Sequence, residues 1–179
     1  MEWHNEPPVW KVEGNLITIQ AVGKTDFWRK THDGDVRDSG HFYYQAASGD
    51  FEAEVTFQAG YRDLFDQAGL MIRADEATWL KCGIELFNGV QQASAVVTRD
   101  VSDWSVAPLR PSPPSIHFLV RRRGGTIEVS YALPGGETSL LRQATLTDAP
   151  ALQVGMMCCA PTGDGFTARF EGFRIRGLE

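Results

Sequence analysis

The chain has 179 residues, of which 42% are hydrophobic and 22% charged, a composition that suits one globular domain over residues 1–179 with a substantial core. Seventeen basic against twenty-three acidic residues leave a net charge of -6, which opposes binding to nucleic acid. The one basic cluster, Arg121-Arg122-Arg123, would alternate between faces on a strand and form no continuous stripe. Apolar runs such as Met156 to Ala160 fall far short of the roughly 18 residues of a membrane span. The start Met1-Glu2-Trp3-His4 has neither a cationic nor an apolar stretch, so a cytoplasmic protein is expected. Cysteines number three, two of them adjacent, which argues against a disulfide framework and for inert buried thiols, Cys82 in particular.

In chain order the dominant signal is an apolar-polar period of two, and no long segment carries a helical period. Leu16–Val22 reads as a strand. Phe51, Ala53, Val55 and Phe57 alternate with Asp50, Glu52, Glu54 and Thr56, so one face is wholly apolar and the other wholly polar. The same grammar continues through Gln67–Arg73, 79–86 and 92–98. Segments 115–123 and 126–133 flank Gly124-Gly125, a two-residue hairpin signal. Alternating Phe166, Ala168 and Phe170, then Phe173 and Ile175, predict a strand near the C-terminus. Two stretches read as long irregular loops: 25–40, rich in Asp and Gly, and 107–115, which holds four prolines. About a dozen strands and an all-β sandwich of antiparallel sheets follow.

If the apolar phase of 67–73, 79–86 and 92–98 faces the core, the opposite face collects Gln67, Met71, Arg73, Trp79, Lys81, Glu85, Ser94 and Thr98. An aromatic plane beside amides, hydroxyls and both signs of charge suits a small polar ligand such as a sugar. The same pattern also fits a plain solvated sheet face on which Lys81 and Glu85 form an ion pair. Loop aromatics Trp28 and Trp104, with His41 and His32, are further candidates for contact with a ligand. Asp33, Asp35 and Asp38 follow part of a calcium-loop spacing, yet Arg37 takes the next alternate position and the closing Glu is missing, so no metal site is assigned. Asp50, Glu52 and Glu54 fall on one strand face about 6.5 to 7 Å apart, a spacing that an acid and base flanking a glycosidic bond could use and that a solvated face explains equally. No nucleophile elbow and no phosphate-binding glycine loop occurs, so neither catalytic residues nor a cofactor are assigned.

The blocks Asp26-Phe27-Trp28, Asp66 to Arg73, Trp79 to Glu85, Val96 to Arg99 and Ser102-Asp103-Trp104-Ser105 resemble the uncharacterised domain family that includes the fungal regulation-of-enolase protein, over nearly the whole chain. That resemblance implies a concanavalin A-like jelly roll of two antiparallel sheets. The block from Asp66 to Glu85 also looks like the accessory β-sandwich of some bacterial β-xylosidases, which favours binding over catalysis. Glucanases of this fold carry Glu-x-Asp-x-Glu on one strand, whereas Asp50-x-Glu52-x-Glu54 departs from that order. The resulting expectation is a non-catalytic module that binds carbohydrate or a small polyhydroxylated ligand. Its alternatives are a domain that contacts and regulates a metabolic enzyme and a glycoside hydrolase.

Overall fold

The computed structural model describes residues 1–178, and every regular element among them is a strand. In chain order these are β1 (Glu2–His4), β2 (Trp10–Glu13), β3 (Leu16–Val22), β4 (Phe27–Arg29), β5 (Val36–Asp38), β6 (His41–Ser48), β7 (Phe51–Ala59) and β8 (Gln67–Arg73). They continue with β9 (Thr78–Phe87), β10 (Val90–Arg99), β11 (Val101–Pro108), β12 (Ile116–Arg123), β13 (Thr126–Ala132), β14 (Ser139–Thr145), β15 (Ala151–Cys159) and β16 (Gly165–Gly177). One seven-stranded sheet has the order β1-β6-β15-β8-β9-β10-β11, a second has β14-β13-β12-β7-β16-β3-β2, and β4 and β5 form a separate hairpin. All pairings between named strands are antiparallel. The fold is a concanavalin A-like jelly-roll sandwich.

The predicted apolar phase forms the layer between the sheets. Leu70, Ile72, Leu80, Cys82, Ile84, Ala95 and Val97 of the first sheet meet Val55, Phe57, Phe118, Val120 and Phe170 of the second. Phe57 lies between Phe118 and Phe170, at ring separations of 5.8 and 5.7 Å. Each such side chain contributes about 1.5 to 3 kcal/mol on burial, so this layer supplies the main driving force for folding. The Gly124-Gly125 turn joins the paired residues Arg123 and Thr126, with Gly124 at φ 54°. Of the three consecutive arginines, Arg122 turns inward and donates to the carbonyls of Gly124, Gly49 and Ala149, which rules out a basic stripe.

The Asp/Gly-rich stretch 25–40 is not the irregular loop expected. Its ends pair as β4 and β5, with Phe27 opposite Asp38 and Arg29 opposite Val36, and the hairpin lies flat on the outer face of the first sheet. Two strands late in the chain complete both sheets: β15 enters between β6 and β8, and β16 between β7 and β3.

Candidate functional site

Strands β15, β8, β9, β10 and β11 present their outward side chains in four aligned rows. The registers place Cys159, Gln67, Glu85, Gln92 and Pro108 in the first row and Met157, Gly69, Gly83, Ser94 and Val106 in the second. The third holds Gly155, Met71, Lys81, Val96 and Trp104, and the fourth Gln153, Arg73, Trp79, Thr98 and Ser102. Every predicted site residue on β8 to β10 therefore occupies the predicted face. What differs is its exposure, because all of β8 is buried, and β9 and β10 are buried over most of their length.

The β4–β5 hairpin covers the third and fourth rows. Phe27 is fully buried among Phe42, Met71, Trp79, Val96, Met157 and Cys159, a second apolar cluster outside the main core. Trp79 is only 1% exposed, so it is packed beneath Phe27 and is not the open stacking platform expected of it. Trp28 packs at the edge of the same cluster and donates its indole N–H to the Thr31 carbonyl at 2.8 Å. Arg73 forms a two-pronged pair with Asp38 at 2.6 and 2.9 Å. Thr98 and Ser102 share a 2.9 Å hydroxyl contact, and the Arg29 amide donates to Ser102 at 3.0 Å. Asp100 accepts from Arg29 and Lys30 at the hairpin's far end. These polar groups are satisfied by the hairpin and hold it down.

His41 lies apart, at the start of β6. Its Nδ1 is 2.6 Å from the Asn5 carbonyl, and its Nε2 accepts the Val22 amide at 3.1 Å. Those partners define a neutral imidazole protonated at Nδ1, and burial holds its pKa below the ordinary histidine value. His41 is a joint between the N-terminal segment and the end of β3.

Beside the hairpin a hollow of about 10 Å³, the room of one water molecule, is lined by Gln67, Lys81, Gly83, Glu85, Ser94 and Met157. At its base Gly83 faces Gly69 across the β8–β9 pairing. A Cβ on Gly69 would lie 2.0 Å from the Cys82 carbonyl oxygen, and one on Gly83 2.0 Å from that of Ala68, so any side chain here would force the strands apart. Glu85 is 7% exposed, and one of its oxygens accepts from the Ser94 hydroxyl at 2.9 Å and the Trp104 indole at 2.8 Å. Burial raises its pKa above the usual carboxylate range, against the opposing pull of Lys81 and these hydrogen bonds. Lys81 makes no ion pair with Glu85; it donates to the Phe27 carbonyl at 2.5 Å and pairs with Asp26 at 3.3 Å. Gln67 donates to the Phe65 carbonyl at 3.1 Å.

Phe65 and Phe87 were not predicted as part of this site. Their rings stack at 5.8 Å, and Phe87 meets Trp104 edge to face at 5.1 Å, an aromatic group tied to the hollow by the Trp104 bond to Glu85. Phe65 adopts φ 67°, an unfavourable backbone for an aromatic residue. Asp66 fixes that turn by accepting the amides of Arg62 and Asp63, both at 2.9 Å. The useful sequence signal was the placement of Phe65 two residues before Gln67, just ahead of β8, and of Phe87 two residues after Glu85, at the end of β9.

The other predicted acidic sets have partners of their own. Glu52 is held by Arg121 and Arg176, which keep its carboxyl below the ordinary range. Glu54 pairs with Arg174 and lies 3.7 Å from His117, while Asp50 accepts the Gly124 amide at 2.8 Å. This strand face is therefore a chain of arginine pairs and not an unpartnered acid and base. Asp33 and Asp35 both bind Arg37, at 2.6 and 2.7 Å, and Asp38 belongs to Arg73; the three aspartates do not converge.

Two layered seven-stranded antiparallel sheets place the chain among the concanavalin A-like β-sandwiches. By its sequence the chain belongs to the family described as "Protein of unknown function (DUF1349)", whose pattern matches residues 3–178. It is 35% identical over 173 residues to Regulation of enolase protein 1 of Saccharomyces cerevisiae, covering 97% of this chain and 87% of the relative. A crystal structure of a functionally unknown protein from Saccharomyces cerevisiae superposes with TM-score 0.95 at 33% identity, covering 99% and 96% of the two chains. Two more distant structures share the fold. The GH43 protein BlXynB of Bacillus licheniformis, as a K247S mutant, gives TM-score 0.75 at 13% identity over 97% of this chain and 36% of its own. A legume lectin-like domain of Entamoeba histolytica gives 0.66 at 8% identity, covering 99% and 90%.

Proposed function

We propose that the chain is a non-catalytic binding module of the cytoplasm that takes one hydroxyl of a carbohydrate, or of a similar polyhydroxylated ligand, into the hollow of Gln67, Lys81, Glu85 and Ser94, beside Trp104. The observation that supports this most is the combination of a side-chain-free glycine base, a buried carboxyl at its side and an aromatic group tied to that carboxyl. The glycine pair adds no bulk at the base of the hollow, whose volume of about 10 Å³ takes one hydroxyl group. Glu85 and Gln67 supply acceptors and a donor for vicinal hydroxyls, and the flat rings of Phe65, Phe87 and Trp104 suit the apolar C–H face of a pyranose. The rest of the ligand would lie outside the hollow, against the aromatic side chains, and be held weakly.

Titration of the protein with a panel of neutral monosaccharides and short oligosaccharides, followed by amide NMR, tests this. Shifts centred on Gly83, Glu85 and Ser94 that Glu85→Gln abolishes would support the reading. Silence at those residues across the panel would remove it.

A second reading has one specific observation behind it, the identity to a relative named for regulation of enolase. On that reading the module contacts a metabolic enzyme directly. Purified enolase titrated against this chain by calorimetry discriminates the two, since a partner of this kind would bind without added sugar.

A further inference from the structure

A larger depression, with a volume of about 550 Å³, lies on the outer face of the second sheet, remote in the fold from the Glu85 hollow. Three strands make its floor. Gln20 of β3 is in register with Thr167 of β16, and Arg169 of β16 with Gln58 of β7. Arg62 forms one wall, pinned by a hydrogen bond to the Gly165 carbonyl, and Asp164 closes an end.

Among the arginines of β16 the pairing pattern singles out Arg169. Along β16 a bulge after Glu171 returns Arg174 and Arg176 to the outer face, where Glu54 and Glu52 pair with them, and Glu52 also takes Arg121. Arg169, inside the depression, has no hydrogen bond or ion pair among the described residues, and neither do the side chains of Gln20, Gln58 or Thr167. The result is a guanidinium flanked by two free amides and a hydroxyl, in a concavity within the usual volume range of small-molecule sites.

We infer that this depression binds a hydroxylated monocarboxylate, of the sugar-acid class, with Arg169 forking onto the carboxylate and Gln20, Gln58 and Thr167 taking the hydroxyls. A planar guanidinium presents two parallel N–H groups that match a carboxylate. Amides and hydroxyls both donate and accept, as a polyol requires. The only aromatic lining residue, Phe166, is 4% exposed, so the site offers no stacking face and a neutral sugar gains little there. Asp164 offsets one of the two guanidinium charges of Arg62 and Arg169, which leaves a single positive charge that matches a monocarboxylate better than a dianion such as a phosphate ester.

Chemical-shift titrations with glucuronate, glucose and glucose 6-phosphate test the assignment. Glucuronate is expected to move the side-chain amides of Gln20 and Gln58, and Arg169→Ala is expected to weaken it about tenfold or more, the scale of one lost charge-assisted contact. Arg169 is exposed, so this variant keeps the fold; Gln58→Ala gives a second, smaller loss. Arg174→Ala, which removes an arginine already paired with Glu54 outside the depression, should leave the glucuronate shifts of Gln20 and Gln58 unchanged, which separates Arg169 from the general positive charge of β16. Failure of glucuronate to shift the two amides overturns the inference, as does equal binding by Arg169→Ala. Tighter binding of glucose 6-phosphate than of glucuronate also overturns it, because the site would then be built for a dianion.

Discussion

The carboxyl of Glu85 on β9 accepts the indole N–H of Trp104 on β11 at 2.8 Å, a reach across β10 made with Ser94 bound to the same oxygen. The acid is thus fixed in one orientation while burial disfavours its charge. Its folded pKa lies above its unfolded value of about 4.3, so the folded state holds the proton more tightly. The resulting stabilisation is full at low pH and is lost as pH rises through the folded pKa. Glu85→Gln keeps the shape and an acceptor but cannot ionise. It should equal or exceed the parent in stability at pH 8 and lose that advantage toward pH 4, as read from thermal melts across the range.

His41 carries the opposite sign. Its pKa is lowered by burial, so the unfolded state takes up the proton first. Stability is complete above the ordinary histidine value of about 6.5 and falls as pH drops below it, toward the lower folded pKa. Protonation of Nε2 would also break its bond with the Val22 amide. His41→Ala should cost about 1 to 3 kcal/mol at pH 8 by stranding that amide and should remove this acid-side slope in urea titrations at pH 8 and pH 5.5.

The hairpin's anchor predicts a third outcome. Arg73 has 7% of its side chain exposed and Asp38 31%. Asp38→Ala strands a buried guanidinium, a loss of about 3 to 5 kcal/mol for fully buried pairs, taken at the low end here because water reaches Asp38. Phe27→Ala, which empties the second apolar cluster, should cost about 3 to 5 kcal/mol. Hydrogen exchange should show 26–39 losing protection first in both variants; global and simultaneous loss would mean that the hairpin is not a separable cover.

Gly83→Ala tests the base of the hollow. The added carbon meets backbone and not a flexible side chain, so the β8–β9 pairing must yield. A loss of about 1 to 3 kcal/mol or more is expected, with any sugar-dependent shifts abolished; a stable variant with unchanged binding would show that the close approach of Gly69 and Gly83 is unimportant.

The strands were legible because residues such as Phe51, Val55, Phe57, Leu80 and Ile84 alternate strictly with polar neighbours, and period two has one structural meaning. The cover was not legible. β4 and β5 are three residues each, too short to display a period, and Lys30, His32 and Gly34 between them adopt positive φ, which suits the Asp/Gly-rich composition of a loop. Polar residues at Arg73, Lys81 and Thr98 therefore read as an open face, although their partners are Asp38, Asp26, the Phe27 carbonyl and Ser102. A trace of the cover was present all the same: Met71, Trp79 and Val96 are apolar at outward positions, more than a solvated face needs. The glycine base of the hollow depends on Gly69 and Gly83 being cross-strand neighbours, a register that a single strand's sequence does not contain.

Because β15 and β16 are interior strands of the two sheets, β6 and β8 in one and β7 and β3 in the other have no shared neighbour until the final stretch of the chain has been synthesised. During translation the earlier strands leave the ribosome with unpaired edges that invite association with other chains. Closure then depends on contacts distant in sequence, a topology that folds slowly. Production of this protein in cells is thus expected to depend more on protection of the nascent chain than on the stability of the finished sandwich, and C-terminal truncations that reach β16 should accumulate as aggregates and not as a loosened native fold.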